Sequence, residues 1–156
     1  MQTGLNSRRI TYMIIEFQAE GIDFPNIEEK KLTEWINKVA QNHKKEVGEI
    51  SYLFCNDEKI LEINREYLNH DFYTDIITFD YSEGKTISGD ILISLQTVES
   101  NSQMYKTDFH EELHRVIIHG ILHLCGIKDG SPEEESLMRS AEEKALEMLL
   151  YDKSDL

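Results

Sequence analysis

The sequence predicts the α+β class: one domain in which a mixed sheet of about four strands packs against helices. Three observations lead there. Short runs rich in β-branched and aromatic residues are interspersed with longer runs whose apolar positions recur at helical spacing. No low-complexity stretch, internal repeat or linker-like segment divides the chain. Its 156 residues suit a single hydrophobic core. The expected bounds are a polar extension over 1–9, a domain over 10–150 and a polar tail over 151–156.

The first strand is ITYMIIEF (10–17). Asn26 is placed to cap a helix over 27–45, with Ile27, Leu32, Trp35, Ile36, Val39 and Ala40 as its apolar set and Gly48 as its stop. EISYLFC (49–55) alternates as a half-buried strand does. Asp57 is placed to cap a helix over 58–69. DIITFDY (75–81) and GDILISL (89–95) are two further strands, separated by the turn SEGK. QTVESNSQMY begins a short helix with a weak pattern. Residues 109–125 form a longer helix, apolar on nearly every face from Val116 to Leu124 and therefore a core element. Ser131, Pro132 and Glu134 spell a capping-box start for a last helix that runs to about Leu150.

Charge and apolar patterning narrow the function. The formal net charge is −14, with ten acids against eight bases in residues 1–60 and twenty against eight in 61–156. Such a chain does not coat nucleic acid through a basic surface, and DNA is not an expected partner. Any nucleic-acid contact is local or assisted by a metal ion. The longest apolar run, VIIHGILHLC, is shorter than a membrane span and carries two imidazoles, so no membrane partner is expected. MQTGLNSRR lacks the hydrophobic region of a secretory signal. Two cysteines, Cys55 and Cys125, do not make a disulfide framework. The expected compartment is the cytoplasm.

The stretch HGILHLCGIKDG (119–130) carries the chemistry. Residues four apart share a helix face, so His119 and His123 aim at one point. Gly126 sits where a left-handed residue ends a helix, which lets the chain double back and bring Asp129 to the same point. Two nitrogens and one oxygen suit a tetrahedral Zn²⁺ with one open position, placing a metal site on the buried helix. An unsatisfied imidazole in an apolar segment costs about 1–3 kcal/mol, and a bound metal removes that cost. Zinc peptidases with H-E-x-x-H use the glutamate after the first histidine as general base. Here that slot is Gly120. Peptide hydrolysis is therefore disfavoured relative to phosphodiester hydrolysis, where a metal-bound water with a pKa near about 7 serves as nucleophile. The general base is not identifiable from the residues.

HGILHLCGIKD, preceded by LNHDFYTDIITFDY and GDILIS, resembles the YbeY family of bacterial single-strand-specific endoribonucleases over roughly residues 49–150. The resemblance implies a zinc-dependent hydrolase of the cytoplasm. It implies maturation of the 3′ end of 16S ribosomal RNA, quality control of ribosomes, and contact with single-stranded RNA precursors and ribosomal proteins. His119 and His123 match the family's first two metal histidines. Three positions depart from the family pattern. Asp129 stands where the family usually has a third histidine, which widens the metal choice from Zn²⁺ to another divalent ion such as manganese. Leu68 stands where an arginine usually faces substrate, and Arg65, three residues earlier on nearly the same helical face, is the candidate to replace it in part. Tyr73 replaces a usual proline.

Among the other residues, Arg115 is expected to bridge to Glu111 or Glu112. Asp75 is read as a strand-start hydrogen-bond partner, Cys125 as a buried thiol, and His70, His110 and His114 as surface residues. A ribosome-associated assembly factor with a structural metal remains the rival reading, supported by the acidic surface, with a zinc peptidase behind it.

Overall fold

The computed structural model describes residues 15–69 and 74–154. The expected extension over 1–9 and the start of the first predicted strand lie outside them, as do Tyr73 and His70. Four strands form one mixed sheet in the order β1-β2-β4-β3: β1 (Ile15–Ala19), β2 (Glu46–Cys55), β4 (Thr86–Ser94) and β3 (Ile76–Asp80). The first three run parallel to their neighbours, and β3 joins the edge antiparallel to β4. Among the described residues, five helices accompany the sheet: α1 (Glu29–Asn42), α2 (Asp57–Tyr67), α3 (Leu95–Tyr105), α4 (Phe109–Leu124) and α5 (Pro132–Ser154). The α+β expectation holds.

Period-two alternation divides the sheet's residues between two cores. Ile50, Tyr52 and Phe54 of β2, with Ile87, Ile91 and Ile93 of β4, point toward α1, α3, α4 and α5. Cys55, Ile77 and Leu92 point the other way, onto Ile60 of α2. On the larger face α4 is the central helix. Its residues Leu113, Ile117, Ile118, Ile121 and Leu122 are fully buried. The Tyr52 hydroxyl donates to the Ile117 carbonyl at 2.8 Å, which fastens α4 to the sheet two residues before His119.

Several element ends differ from the sequence reading. Helix α1 starts after Glu28 rather than Asn26, and Glu28 provides no side-chain cap. It stops at Asn42, where Lys44 turns left-handed at φ 60° and the Lys45 N–H returns to the Ala40 carbonyl. Gly48 is therefore not a helix stop. It lies inside β2 at a register shift, where a Cβ would sit 2.5 Å from the Ser88 Oγ. The cap of α2 is Asn56, whose side chain accepts from the Lys59 N–H at 2.9 Å. Asp57 instead opens the helix and accepts from the Ser94 and Thr97 hydroxyls, both at 2.6 Å, tying the starts of α2 and α3 together. Helix α5 continues through Ser154.

Candidate metal centre

Helix α4 begins with Asp108 accepting from the His110 and Glu111 N–H groups and ends in a glycine turn. Gly126 has φ +102°, the Gly126 N–H bonds the His123 carbonyl, and the Ile127 N–H bonds the Leu122 carbonyl. This is a Schellman closure, which reverses the chain as the spacing predicts. Helix α5 opens nearby. Ser131 accepts from the Glu134 N–H at 3.2 Å, and the Glu134 carboxylate takes the Gly130 N–H at 3.0 Å. The expected capping box forms with its return bond one residue early. The segment 126–131 is thus held at both ends, and Asp129 sits on it.

The three predicted side chains converge. His119 Nε2 lies 3.3 Å from one Asp129 oxygen, and His123 Nε2 lies 3.4 Å from the other. The two rings are 4.9 Å apart at an 83° angle. One donor atom from each residue falls within 4.8 Å of the others, and no other such group of His, Cys, Asp and Glu occurs among the described residues. A tetrahedral ion with bonds of about 2.0–2.1 Å separates its donors by about 3.3–3.4 Å. Each imidazole lies about that far from a carboxylate oxygen, though from a different one, and one donor from each residue lies within 4.8 Å of the others, so the group could hold a single divalent ion. The site is half-buried and opens into a cleft of about 770 Å³, which leaves a face for solvent or substrate.

Sequence reasoning missed Glu142. It is 8% exposed, and its Oε2 lies 2.7 Å from His119 Nδ1. With Nδ1–H donating to that carboxylate, the Nε2 lone pair faces Asp129, the arrangement typical of metal-bound histidines. Arg115 donates to Glu142 Oε1 at 3.1 Å and approaches Glu143 at 3.9 Å, so its partners are on α5 and not the expected Glu111 or Glu112. Burial disfavours a charged His119 ring. The Glu142 hydrogen bond and negative charge, with Asp129 and Asp75 beside it, outweigh burial and raise the ring's pKa. The missed signal is legible in hindsight. Met138, Glu142, Ala145 and Leu149 recur at helical spacing, and a carboxylate in an apolar stripe needs a partner.

Other residues fall into place around this core. The Asp75 backbone carbonyl accepts from the Ser94 N–H at 2.9 Å, as a strand start should, while its side chain lines the cleft. Burial raises the pKa of Asp75 and of Glu112, another cleft carboxyl. Burial also pushes the Cys125 thiol up to about 11, and this side chain is not part of the metal group. His114 is half-buried, edge-on to Trp35 at 6.1 Å, rather than on the open surface. Arg65 does not line the cleft. It borders a shallow groove on α2 with Glu58, Leu61, Glu62 and Glu66.

Gly120 explains the absent peptidase glutamate. A Cβ there would meet the Ile91 Cδ1 at 3.0 Å and the Ile76 Cδ1 at 3.2 Å. This position faces the sheet. A carboxylate on it would be driven among isoleucine side chains.

Fold and site together define an α+β protein with a His-His-Asp group, able to hold a metal ion, at the end of its central helix. The family model for Endoribonuclease YbeY matches residues 15–150, and the chain belongs to the YbeY family. It is 60% identical to Endoribonuclease YbeY of Bacteroides fragilis over 136 residues, spanning 87% of this chain and 98% of that one. It is 58% identical to Endoribonuclease YbeY of Porphyromonas gingivalis over 135 residues, spanning 86% of this chain and 89% of that one. The solution structure of TM1509 from Thermotoga maritima superposes with a TM-score of 0.59 at 25% identity, covering 91% of this chain and 95% of that one.

Proposed function

We propose that this chain is a metal-dependent endoribonuclease that cleaves single-stranded RNA, acting in 16S ribosomal RNA 3′-end maturation and ribosome quality control. The observation that carries the chemical part is the convergence of one donor atom each from His119, His123 and Asp129 within 4.8 Å, beside an open cleft. The RNA substrate follows from family membership and from relatives bearing the endoribonuclease name. No described helix is long and apolar enough to cross a membrane. A cytoplasmic setting among ribosomal RNA and ribosomal proteins is part of the proposal, with residues 10–150 as the working domain.

His119, His123 and Asp129 would hold a divalent ion, Zn²⁺ first and manganese as the alternative, which would supply charge neutralisation and Lewis acidity. The chain's own groups do the rest. Glu142 fixes the tautomer and orientation of His119 so that Nε2 is free to bind. Arg115 holds Glu142 in place from the opposite side. The Schellman turn at Gly126 delivers Asp129 with little freedom to wander. Asp75 lines the same cleft, and burial raises its pKa, which makes it a candidate to accept a proton outside the metal group. Gly120 leaves the peptidase base without a place.

The test combines elemental analysis with cleavage of an unstructured RNA by native protein and by Asp129→Asn. One equivalent of divalent metal in the native protein, with cleavage lost in the variant while its fold by circular dichroism persists, supports the reading. Full cleavage by metal-free protein refutes it. End-group analysis of the products separates direct water attack from attack by the substrate's 2′-hydroxyl, since only the latter gives a 2′,3′-cyclic phosphate.

A further inference from the structure

We propose that Tyr105 and Arg139 form a nucleotide subsite in the cleft, the tyrosine ring stacking on a base and the guanidinium gripping a backbone phosphate. The inference rests on the RNA reading above and assigns residues that this reading leaves unassigned. Both side chains line the same cleft as the three metal ligands. Its floor is one face of α4, where Glu112, Val116, His119 and His123 follow at helical spacing, and one wall is the edge strand β3. From Glu112 to His123 the helix axis advances about 17 Å at ~1.5 Å per residue. At ~3.4 Å per stacked nucleotide, that length holds at most about five nucleotides of one strand.

The cleft's charges single out Arg139. Asp75, Asp80, Glu112, Asp129 and Glu142 line it, against two arginines. Arg115 is committed to Glu142 and Glu143. Arg139 is exposed and has no ion-pair partner among the described residues. It lies three residues before Glu142 on α5, hence on nearly the same face. A guanidinium offers five N–H donors in a planar fork that matches phosphate. In a protein of net charge −14, an unneutralised cation beside a metal group is where an anionic backbone finds attraction.

Tyr105 is singled out by comparison with its peers. Tyr67, Tyr81 and Tyr105 are all about 60% exposed or more: 66%, 59% and 62%. Tyr67 lies edge-on to Phe79 at 6.2 Å, and the Tyr81 hydroxyl donates to Asp90 at 3.3 Å. Tyr105 has neither a ring partner nor a hydrogen bond among the described residues. Its backbone is nevertheless fixed. Lys106 takes a left-handed cap at φ 56°, and the Thr107 N–H bonds the Ser102 carbonyl at 2.9 Å. A rigidly mounted aromatic ring left bare at the edge of a cleft is a stacking platform, and such platforms tolerate any base. Asn101, four residues earlier on the same face, also lines the cleft and offers an amide to a base edge.

The experiment measures binding of a short, unstructured, fluorescently labelled RNA to the metal-loaded protein across a range of salt. Tyr105→Ala is expected to weaken binding about ten-fold. Tyr105→Phe keeps the ring and stays within about two-fold, and the Tyr105→Ala penalty disappears with an abasic strand of equal length. Arg139→Ala is expected to weaken binding about ten-fold. It also lowers the slope of log K against log salt by about 0.7, which Arg139→Lys largely restores. Both side chains are exposed, so these variants fold as the native protein does. Native affinity and native salt slope in both alanine variants overturn the subsite. Cleavage before and after chelation is followed in parallel. Metal-dependent cleavage with indifferent variants removes the subsite alone. Weakened variants without metal-dependent cleavage keep the subsite and remove the nuclease reading. A native protein that ignores RNA removes both.

Discussion

The two faces of the sheet carry very different loads. On one, α4, α5 and the turn between them bring two imidazoles and two carboxylates into contact, with Arg115 locked behind them. On the other, α2 covers a small cluster of Cys55, Ile60, Ile77 and Leu92, and its charged residues, Arg65 among them, border a shallow groove. Strand β3 serves both: Ile77 enters the small core while Ile76, Thr78 and Asp80 line the cleft. The polar groups of the cleft cluster where α4, α5 and β3 meet at a sheet edge, and there each is satisfied and still reaches solvent. Among the described residues a single helix, α2, lies on the other face.

The comparison can be broken by substitution. The largest effect is expected from His123→Ala. It removes one ligand of three and should abolish stoichiometric metal binding, with RNA cleavage falling more than about 100-fold. Metal analysis and single-turnover rates check this. Next is Gly120→Glu, which restores the peptidase pattern in sequence but points a carboxylate into Ile91 and Ile76. We expect destabilisation of about 3–5 kcal/mol in denaturant unfolding and no casein digestion. Glu142→Ala should lower metal affinity about 10–100-fold in chelator competition, with Glu142→Gln losing less because it retains a hydrogen-bond acceptor for Nδ1–H. The smallest effect is expected on the α2 face. Arg65→Ala should leave RNA cleavage within about two-fold of native and stability within about 0.5 kcal/mol. A large loss of cleavage there would bring α2 into the site and end the contrast between the faces.

Much of this was legible in the sequence, for identifiable reasons. Period-two and helical patterns pointed to most described elements, because burial on one face is imposed locally, but the first strand was expected over 10–17 and is described over Ile15–Ala19. The His-His-Asp turn was legible because its three residues lie within an eleven-residue stretch and a glycine marks the bend. The helix ends were less so. Lys44 occupies a left-handed position that sequence usually reserves for Gly or Asn, and the actual cap Asn56 stands next to the more obvious Asp57. Long-range polar partners were the least legible. Local spacing pairs Arg115 with Glu111 or Glu112, yet the guanidinium reaches across to Glu142, twenty-seven residues away. The same packing of α5 on α4 hides the support of His119. Arg65 was chosen by helical spacing alone, which fixes a face on α2 but not what that face meets.

The most direct test of the central claim is a zinc titration of chelated protein, with cleavage of unstructured RNA as the readout. The account predicts that activity vanishes on chelation and returns in proportion to added zinc, with a break at one equivalent. Undiminished cleavage without metal, or restoration equally good in His119→Ala, would contradict it.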